Sequence, residues 1–179
     1  EKDNFGGGLI INNVNKLSKF INVKFSYLTG YKRDYFERST EKRYSSKTSY
    51  FSNTNQFKET LYEKEVFNNS NEFLIMGSIN FHNTFVDIKK VLFENISSED
   101  ALNIINSEFS ISEIEFKNNN SDSIDFDFSN GILEKAEFYN IGNDAIDFSG
   151  SKAFIKDLNF YGVNDKLISI GENSDVNIS

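Results

Sequence analysis

Apolar and polar residues alternate along this chain in a pattern that repeats about every 22 positions. Phe93, Phe116, Phe138 and Phe160 are separated by 23, 22 and 22 residues. Around them, apolar residues recur five and two positions before the ring, and usually three positions after it. A single repeat of this kind cannot bury its own apolar side. We therefore expect successive repeats to stack and share one continuous core.

The second part of each repeat contains a short stretch in which apolar and polar residues alternate. Such alternation predicts a strand whose flanking residues point inward and whose middle residue points outward. With no proline and no helical periodicity, the pattern predicts an all-β, right-handed parallel β-helix of about 22 residues per coil. The alternating triplets are Ile79-Asn80-Phe81, Leu102-Asn103-Ile104, Ile124-Asp125-Phe126, Ile146-Asp147-Phe148 and Ile168-Ser169-Ile170.

A leucine-rich repeat is the competing architecture, because its period and core spacing are similar. It would place asparagine three residues after the last core position, where this chain has Ile96, Ile141 or Val163. The rest of each repeat also has the pattern of a strand and not of a helix. The sequence therefore favours the β-helix.

The chain is predicted to be a single β-helix domain over residues 1–179, interrupted by an insertion at residues 31–72. Residues 10–30 fit an earlier coil, and the repeat resumes at Leu74. Since the chain starts at Glu1 and its last residues resemble the start of another strand, we expect a piece of a longer protein. The expected core positions of the earlier coil are Leu17, Phe20, Val23 and Phe25.

The insertion differs in composition from the coils, because it holds all three arginines and five of the eight tyrosines. Long insertions in repeat folds are often located on the binding face. Arginine forks and aromatic faces suit anionic or carbohydrate ligands, although a solvated loop without a ligand explains the segment equally well. The candidate ligand-binding residues are Arg33, Arg38, Arg43, Tyr35 and Tyr44.

The charge of the chain excludes some classes of partner. The formal net charge is −8, and residues 83–179 contain 18 acidic and 7 basic side chains. A general nucleic-acid partner is not expected, because neutralising phosphates requires an excess of Lys and Arg. No run of residues has the length and hydropathy of a membrane span. The lack of cysteine excludes disulfides and thiolate metal sites.

Polar residues recur at two positions of the repeat where turns are expected. Asparagine follows the repeated phenylalanine by two residues, and it tolerates the left-handed backbone conformation. An aspartate stands just before the alternating triplet, where its carboxylate can accept bonds from backbone N–H groups two or three residues on. The predicted structural turn caps are Asn95, Asn118, Asn140, Asp100, Asp122, Asp144 and Asp165.

A second acidic column is predicted on the outer face of the strands. Asp125 and Asp147 are middle residues of their triplets, and Asp127 follows Asp125 by two residues. Ca²⁺ binds six to eight oxygen ligands, several of which this patch could supply, so these three aspartates are candidate calcium ligands. Paired carboxylates could instead act as acid and base on a glycoside, and spacing alone does not separate the two. His82, the one histidine, is expected to be a surface packing residue.

The coils resemble the pectate-lyase-like superfamily of right-handed parallel β-helices. The resemblance is carried by Glu99-Asp100-Ala101-Leu102-Asn103-Ile104 and by the related runs that begin at Ser121 and Asn143. More closely, they are similar to bacterial β-helix modules of large exported proteins, some of which carry a kinase-like domain. The resemblance covers residues 74–178 well and implies no established activity. Enzymes of the superfamily are polysaccharide lyases, hydrolases and epimerases, and their diagnostic catalytic strings are not found in this sequence.

The sequence favours a non-catalytic β-helix module, extracellular or at the cell surface, that presents a surface to a polysaccharide or to a cell-surface protein. Two other functions stay open. One is a Ca²⁺-dependent polysaccharide-active enzyme at Asp125, Asp127 and Asp147. The other is a structural segment of a fibre or surface protein that associates end to end or as a homo-oligomer.

Overall fold

The computed structural model describes residues 7–29 and 77–179, which belong to one compact unit. Every regular element in these two ranges is a β-strand, and neither range contains a helix that could span a membrane. The strands are β1 (Leu9–Asn12), β2 (Leu17–Ile21), β3 (Lys24–Ser26), β4 (Gly77–His82), β5 (Phe85–Glu94), β6 (Asp100–Ile105), β7 (Glu108–Asn119), β8 (Asp122–Asp127), β9 (Asn130–Ile141), β10 (Ile146–Ser149), β11 (Lys152–Val163), β12 (Ile168–Gly171) and β13 (Asp175–Ile178).

These strands form two parallel sheets that share the core. The first sheet has the order β1-β4-β6-β8-β10-β12, and the second has the order β13-β11-β9-β7-β5-β2, with β3 also pairing with β5. Each coil therefore gives one strand to the first sheet and a long or divided strand to the second. The result is a parallel β-solenoid of about 5 turns spaced about 22 residues apart. This confirms the all-β parallel β-helix that the repeat predicted.

The coil formed by β1 to β3 stacks directly on the coil formed by β4 and β5. Leu9 pairs with Ile79, and Phe25 pairs with Phe93. The predicted insertion at residues 31–72 lies outside the described residues. One expected core position of the early coil is wrong, because Leu17 pairs with Phe85 and is 55% exposed. Phe20 packs against the core, and an odd step of three residues along the strand turns Leu17 to the other face.

Columns of identical core positions run along the solenoid. The repeated phenylalanines are paired in register, with ring centroids 5.0 Å apart between Phe93 and Phe116 and 5.3 Å apart between Phe116 and Phe138. In the first sheet the five predicted triplets superpose, so that Asn103, Asp125 and Asp147 share a column. Because each coil offers the same side chain to its neighbours, rings stack on rings and aliphatic groups on aliphatic groups.

Polar ladders hold the two corners between the sheets. Asn95, Asn118 and Asn140 have φ angles of 56°, 53° and 53°, and the amide of each later residue donates to Oδ1 of the one before. At the other corner, a serine ladder connects successive coils, because a backbone N–H donates to the hydroxyl one coil on. The residues of this ladder are Thr84, Ser107, Ser129, Ser151 and Ser174.

Asn119 is the polar exception in an apolar core column. It pairs with Ile141, is 3% exposed, and its Oδ1 has no hydrogen-bond partner.

Replacing Asn119 with isoleucine is expected to raise the free energy of unfolding by about 1–3 kcal/mol, because an unsatisfied buried group is removed. Urea unfolding measures the change. The neighbouring Asn118→Ile is the control and should destabilise, since Asn118 has a positive φ; a stability loss in Asn119→Ile would contradict the prediction.

Candidate functional site

The second acidic column lies on the outer side of the first sheet, at its centre. Asn103 of β6, Asp125 of β8 and Asp147 of β10 are neighbours in register. Asp127 follows at the end of β8 and pairs with Ser149. The structure thus brings the three predicted calcium ligands onto the same face of neighbouring strands. We refer to Asp100, Asn103, Asp125, Asp127 and Asp147 as the acidic cluster.

Asn103 is the centre of this cluster. Its Nδ2 donates to Oδ2 of Asp100 and to Oδ2 of Asp125, each at 3.3 Å. Asn103 is 1% exposed and Asp100 3% exposed, so the cluster is more buried than an outward-facing column was expected to be. Among the described residues, the buried Oδ1 atoms of Asn103 and Asp125 have no hydrogen-bond partner.

Burial changes the protonation of these carboxyls. Burial, with smaller contributions from the charges of Asp127, Asp100 and Asp147, raises the pKa of Asp125 to about 9. Burial is also the main cause that raises the pKa of Asp100, which the opposing hydrogen bond from Asn103 leaves at about 8. The pKa of Asp127 is also raised, chiefly by burial. The free energy of removing charges from water explains this, because a neutral carboxylic acid is less costly to bury than a carboxylate. Burial therefore favours the neutral form of Asp125.

The first aspartate column is held by contacts that differ along the stack. Oδ1 of Asp122 accepts from the backbone N–H of Asp144 at 2.9 Å, and Oδ1 of Asp144 accepts from the backbone N–H of Lys166 at 2.9 Å. The accepted N–H groups lie one coil on, and not two or three residues on as expected. Stacking explains the difference, because the next coil brings its backbone within reach. Lys166 Nζ also contacts the carboxylates of Asp144 and Asp165, which ends the column.

The geometry of a metal site is not complete in this part of the chain. Residues 7–29 and 77–179 contain no group of three or more Asp, Glu or His side chains arranged to hold a metal ion. A cation at the acidic cluster would have to compete with a proton for Asp125, because the pKa of that carboxyl is raised. It would also need neutral oxygen ligands, and the Oδ1 atom of Asn103, which has no hydrogen-bond partner, is a candidate. Calcium ligation by Asp125, Asp127 and Asp147 stays a prediction.

His82 lies away from the acidic cluster. It pairs with Ile105, and its Nδ1 lies 2.8 Å from Oδ1 of Asn12 in the preceding coil. Burial lowers the pKa of the imidazole below its usual value. The residues paired with it in the two adjacent coils are thus an asparagine and an isoleucine.

A second candidate site is a groove of about 310 Å³ at the corner between the two sheets. It crosses four successive coils, so its length is roughly 15 Å at about 4.8 Å per coil. Phe85 and Phe128 contribute exposed aromatic rings, with 45% and 54% of their surfaces accessible. We call this the corner groove; its lining residues are Val14, Asn15, Asn83, Thr84, Phe85, Asn106, Ser107, Glu108, Phe128 and Asn130.

Phe128 has an unusual backbone conformation. Its φ is 50°, at a turn position that is Asn13, Asn83 or Asn106 in the preceding coils and Gly150 in the next one. Asparagine and glycine accept this conformation readily, but for a bulky side chain it is strained. The side chains of Asn13, Asn83 and Asn106 form a hydrogen-bonded ladder, which ends at Asn106 because phenylalanine has no amide.

Gly150 allows the ring of Phe128 to take its observed position. A Cβ at Gly150 would lie 2.6 Å from Cδ1 and 2.8 Å from Cε1 of the Phe128 ring. The ring therefore rests on the glycine backbone of the next coil. A residue with a side chain at position 150 would displace it.

Sequence reasoning missed the corner groove and both ladders at this corner. The serine ladder had a signal, because Ser107, Ser129 and Ser151 recur every 22 residues. The signal for Phe128 was a phenylalanine in a column that otherwise holds Asn13, Asn83, Asn106, Gly150 and Glu172, which becomes visible only when the turns are aligned. The predicted ligand-binding residues Arg33, Arg38, Arg43, Tyr35 and Tyr44 lie outside the described residues.

Comparison with known proteins does not assign the chain to a family. The chain matches no family model, no curated protein and no solved structure. The structure itself shows a parallel β-solenoid of about 5 turns.

Proposed function

We propose that this chain is a non-catalytic β-solenoid module that presents a rigid surface to a glycan or to another protein outside the cytoplasm. The corner groove carries this proposal, since two exposed aromatic rings lie in one concave surface beside amide and hydroxyl groups. Binding sites typically combine apolar contact area with a few polar groups that fix orientation. The likeness to exported β-helix modules of the pectate-lyase-like type supports the extracytoplasmic location.

The rigidity of the solenoid supports a binding role. Asparagine and serine ladders connect each coil to the next at both corners. Surface side chains are therefore held at fixed separations, which lowers the entropy lost when a ligand is bound. Arg33, Arg38, Arg43, Tyr35 and Tyr44 are a second candidate surface in this proposal.

The test of this function asks whether the chain binds a polysaccharide without cleaving it. The full chain is run in native gels that contain soluble polysaccharides, and product is assayed as new reducing ends and unsaturated sugars. We expect at least one polysaccharide to retard the chain while no product forms. Bovine serum albumin controls for retardation by gel viscosity. Product release by the purified chain would contradict a non-catalytic role.

A variant without residues 31–72 distinguishes the two candidate surfaces. The remaining linker between Ser26 and Gly77 would have eight residues, 27–30 and 73–76, whereas five residues connect Glu94 to Asp100 one coil on. The linker is thus long enough for the coils to keep their pairing. Retained binding would assign the contact to the solenoid, and lost binding would assign it to residues 31–72.

A Ca²⁺-dependent polysaccharide-active enzyme is the second candidate function. The unpartnered oxygens of Asn103 and Asp125 favour it, because hard cations bind carboxylate and amide oxygens. If the site exists, millimolar Ca²⁺ should raise the thermal midpoint relative to EDTA, because a ligand at 100 times Kd raises the free energy of unfolding by about 2.7 kcal/mol. The shift should vanish in Asp125→Asn/Asp147→Asn. An equal midpoint in Ca²⁺ and EDTA would remove this candidate.

A further inference from the structure

The corner groove has a specific chemical character. Among the described residues, Glu108 is the one charged residue that lines it, and none of the described lysines does. Its other polar groups are amides and hydroxyls, which both donate and accept hydrogen bonds. A polyanionic chain such as a polyuronate would therefore meet a carboxylate without a compensating cation. The groove suits a ligand that is uncharged and rich in hydroxyl groups.

The strain at Phe128 points to a role beyond folding. Asparagine at this position would keep φ positive without strain and would extend the amide ladder from Asn106. Phenylalanine instead leaves 54% of its surface exposed, in an unfavourable backbone region. Neither the core nor the ladder gains from this ring. Strained residues of this kind cluster at ligand sites.

We propose that the corner groove binds a neutral oligosaccharide, with Phe128 and Phe85 contacting the apolar faces of sugar rings and Asn83, Asn106 and Asn130 bonding to their hydroxyls. This rests on the proposed function and names its ligand class. A peptide strand fits less well, because β4 to β9 beside the groove are paired on both sides; among the described strands that flank it, β1 and β2 at one end of the groove lie at a sheet edge where β-augmentation could take place. A groove of roughly 15 Å, about three coil spacings long, can hold a short oligosaccharide.

The test uses the full chain and neutral hexasaccharides of β-linked glucose, N-acetylglucosamine and mannose, with hexagalacturonate as the anionic comparison. Binding is measured by titration calorimetry for the natural chain, Phe128→Asn and Phe154→Ala. Phe154 is the matched control, since it is 37% exposed and does not line the groove. We expect a neutral hexasaccharide to bind, and Phe128→Asn to weaken it by at least about tenfold while Phe154→Ala does not.

The Phe128→Asn variant also separates binding from folding. It should unfold at the same or a higher temperature than the natural chain, because strain is relieved and the ladder extended. Binding of hexagalacturonate alone, or of a neutral sugar equally well to Phe128→Asn, would overturn the inference. Polysaccharide retention that depends on residues 31–72 and not on Phe128 would overturn it while leaving the proposed function intact. If no polysaccharide and no protein partner binds, both fail.

Discussion

Replacing Phe116 with alanine is expected to lower the free energy of unfolding by about 3–5 kcal/mol. Phe116 is fully buried, and its ring is stacked between those of Phe93 and Phe138 at 5.0 Å and 5.3 Å. Removing the ring creates a cavity in the middle of the stack. The two neighbouring rings are fixed by their own strands and cannot close the gap. Urea unfolding followed by circular dichroism at 25 °C measures the loss.

Phe160→Ala is the matched control at the end of the same column. Phe160 stacks on Phe138 at 5.1 Å but is only partly buried. Its loss removes one ring contact instead of two and leaves an open surface, so its effect should be clearly smaller. Equal losses for the two variants would mean that stacking between coils does not set the stability of the core.

The second large effect is a fall in stability with rising pH. The pKa of Asp125 in the folded state is about 9 and that of Asp100 about 8, compared with 3.8 for an aspartate in water. Below about pH 4 these carboxyls are protonated in both states, and their contribution to stability is fully present. Between that pH and 8–9 only the unfolded chain loses the protons. The free energy of unfolding should then fall as the pH rises through this range.

Thermal unfolding at pH 5.5 and pH 8.5 tests this prediction. The midpoint should be lower at pH 8.5, and Asp125→Asn should raise it more at pH 8.5 than at pH 5.5. The amide keeps the shape of the side chain and cannot ionise, so the desolvated charge is removed. Asp157→Asn, at an exposed position of the second sheet, controls for the loss of one carboxylate. A midpoint that rises from pH 5.5 to pH 8.5 would show that these carboxyls are ionised in the fold.

The sequence by itself determined the solenoid and the alignment of its coils. In a stack of coils the spatial neighbour of a residue is one period away in the chain, so the 22-residue repeat is also the contact map. The columns of Phe116 and of Asp125 followed directly from spacing. The same logic placed Asp127 and Asp147 beside Asp125, and it identified Asn95, Asn118 and Asn140 as a turn column.

Only the tertiary structure decided what these columns contact and how far they are buried. Spacing showed that Asp122 recurs, but only the stacked backbone showed that it accepts the N–H of Asp144. The burial of Asn103 and the raised pKa of Asp125 depend on packing around the strand. The corner groove depends on the direction of two rings from different coils. These properties arise between residues distant in sequence, where period and polarity carry no information about distance, direction or solvent.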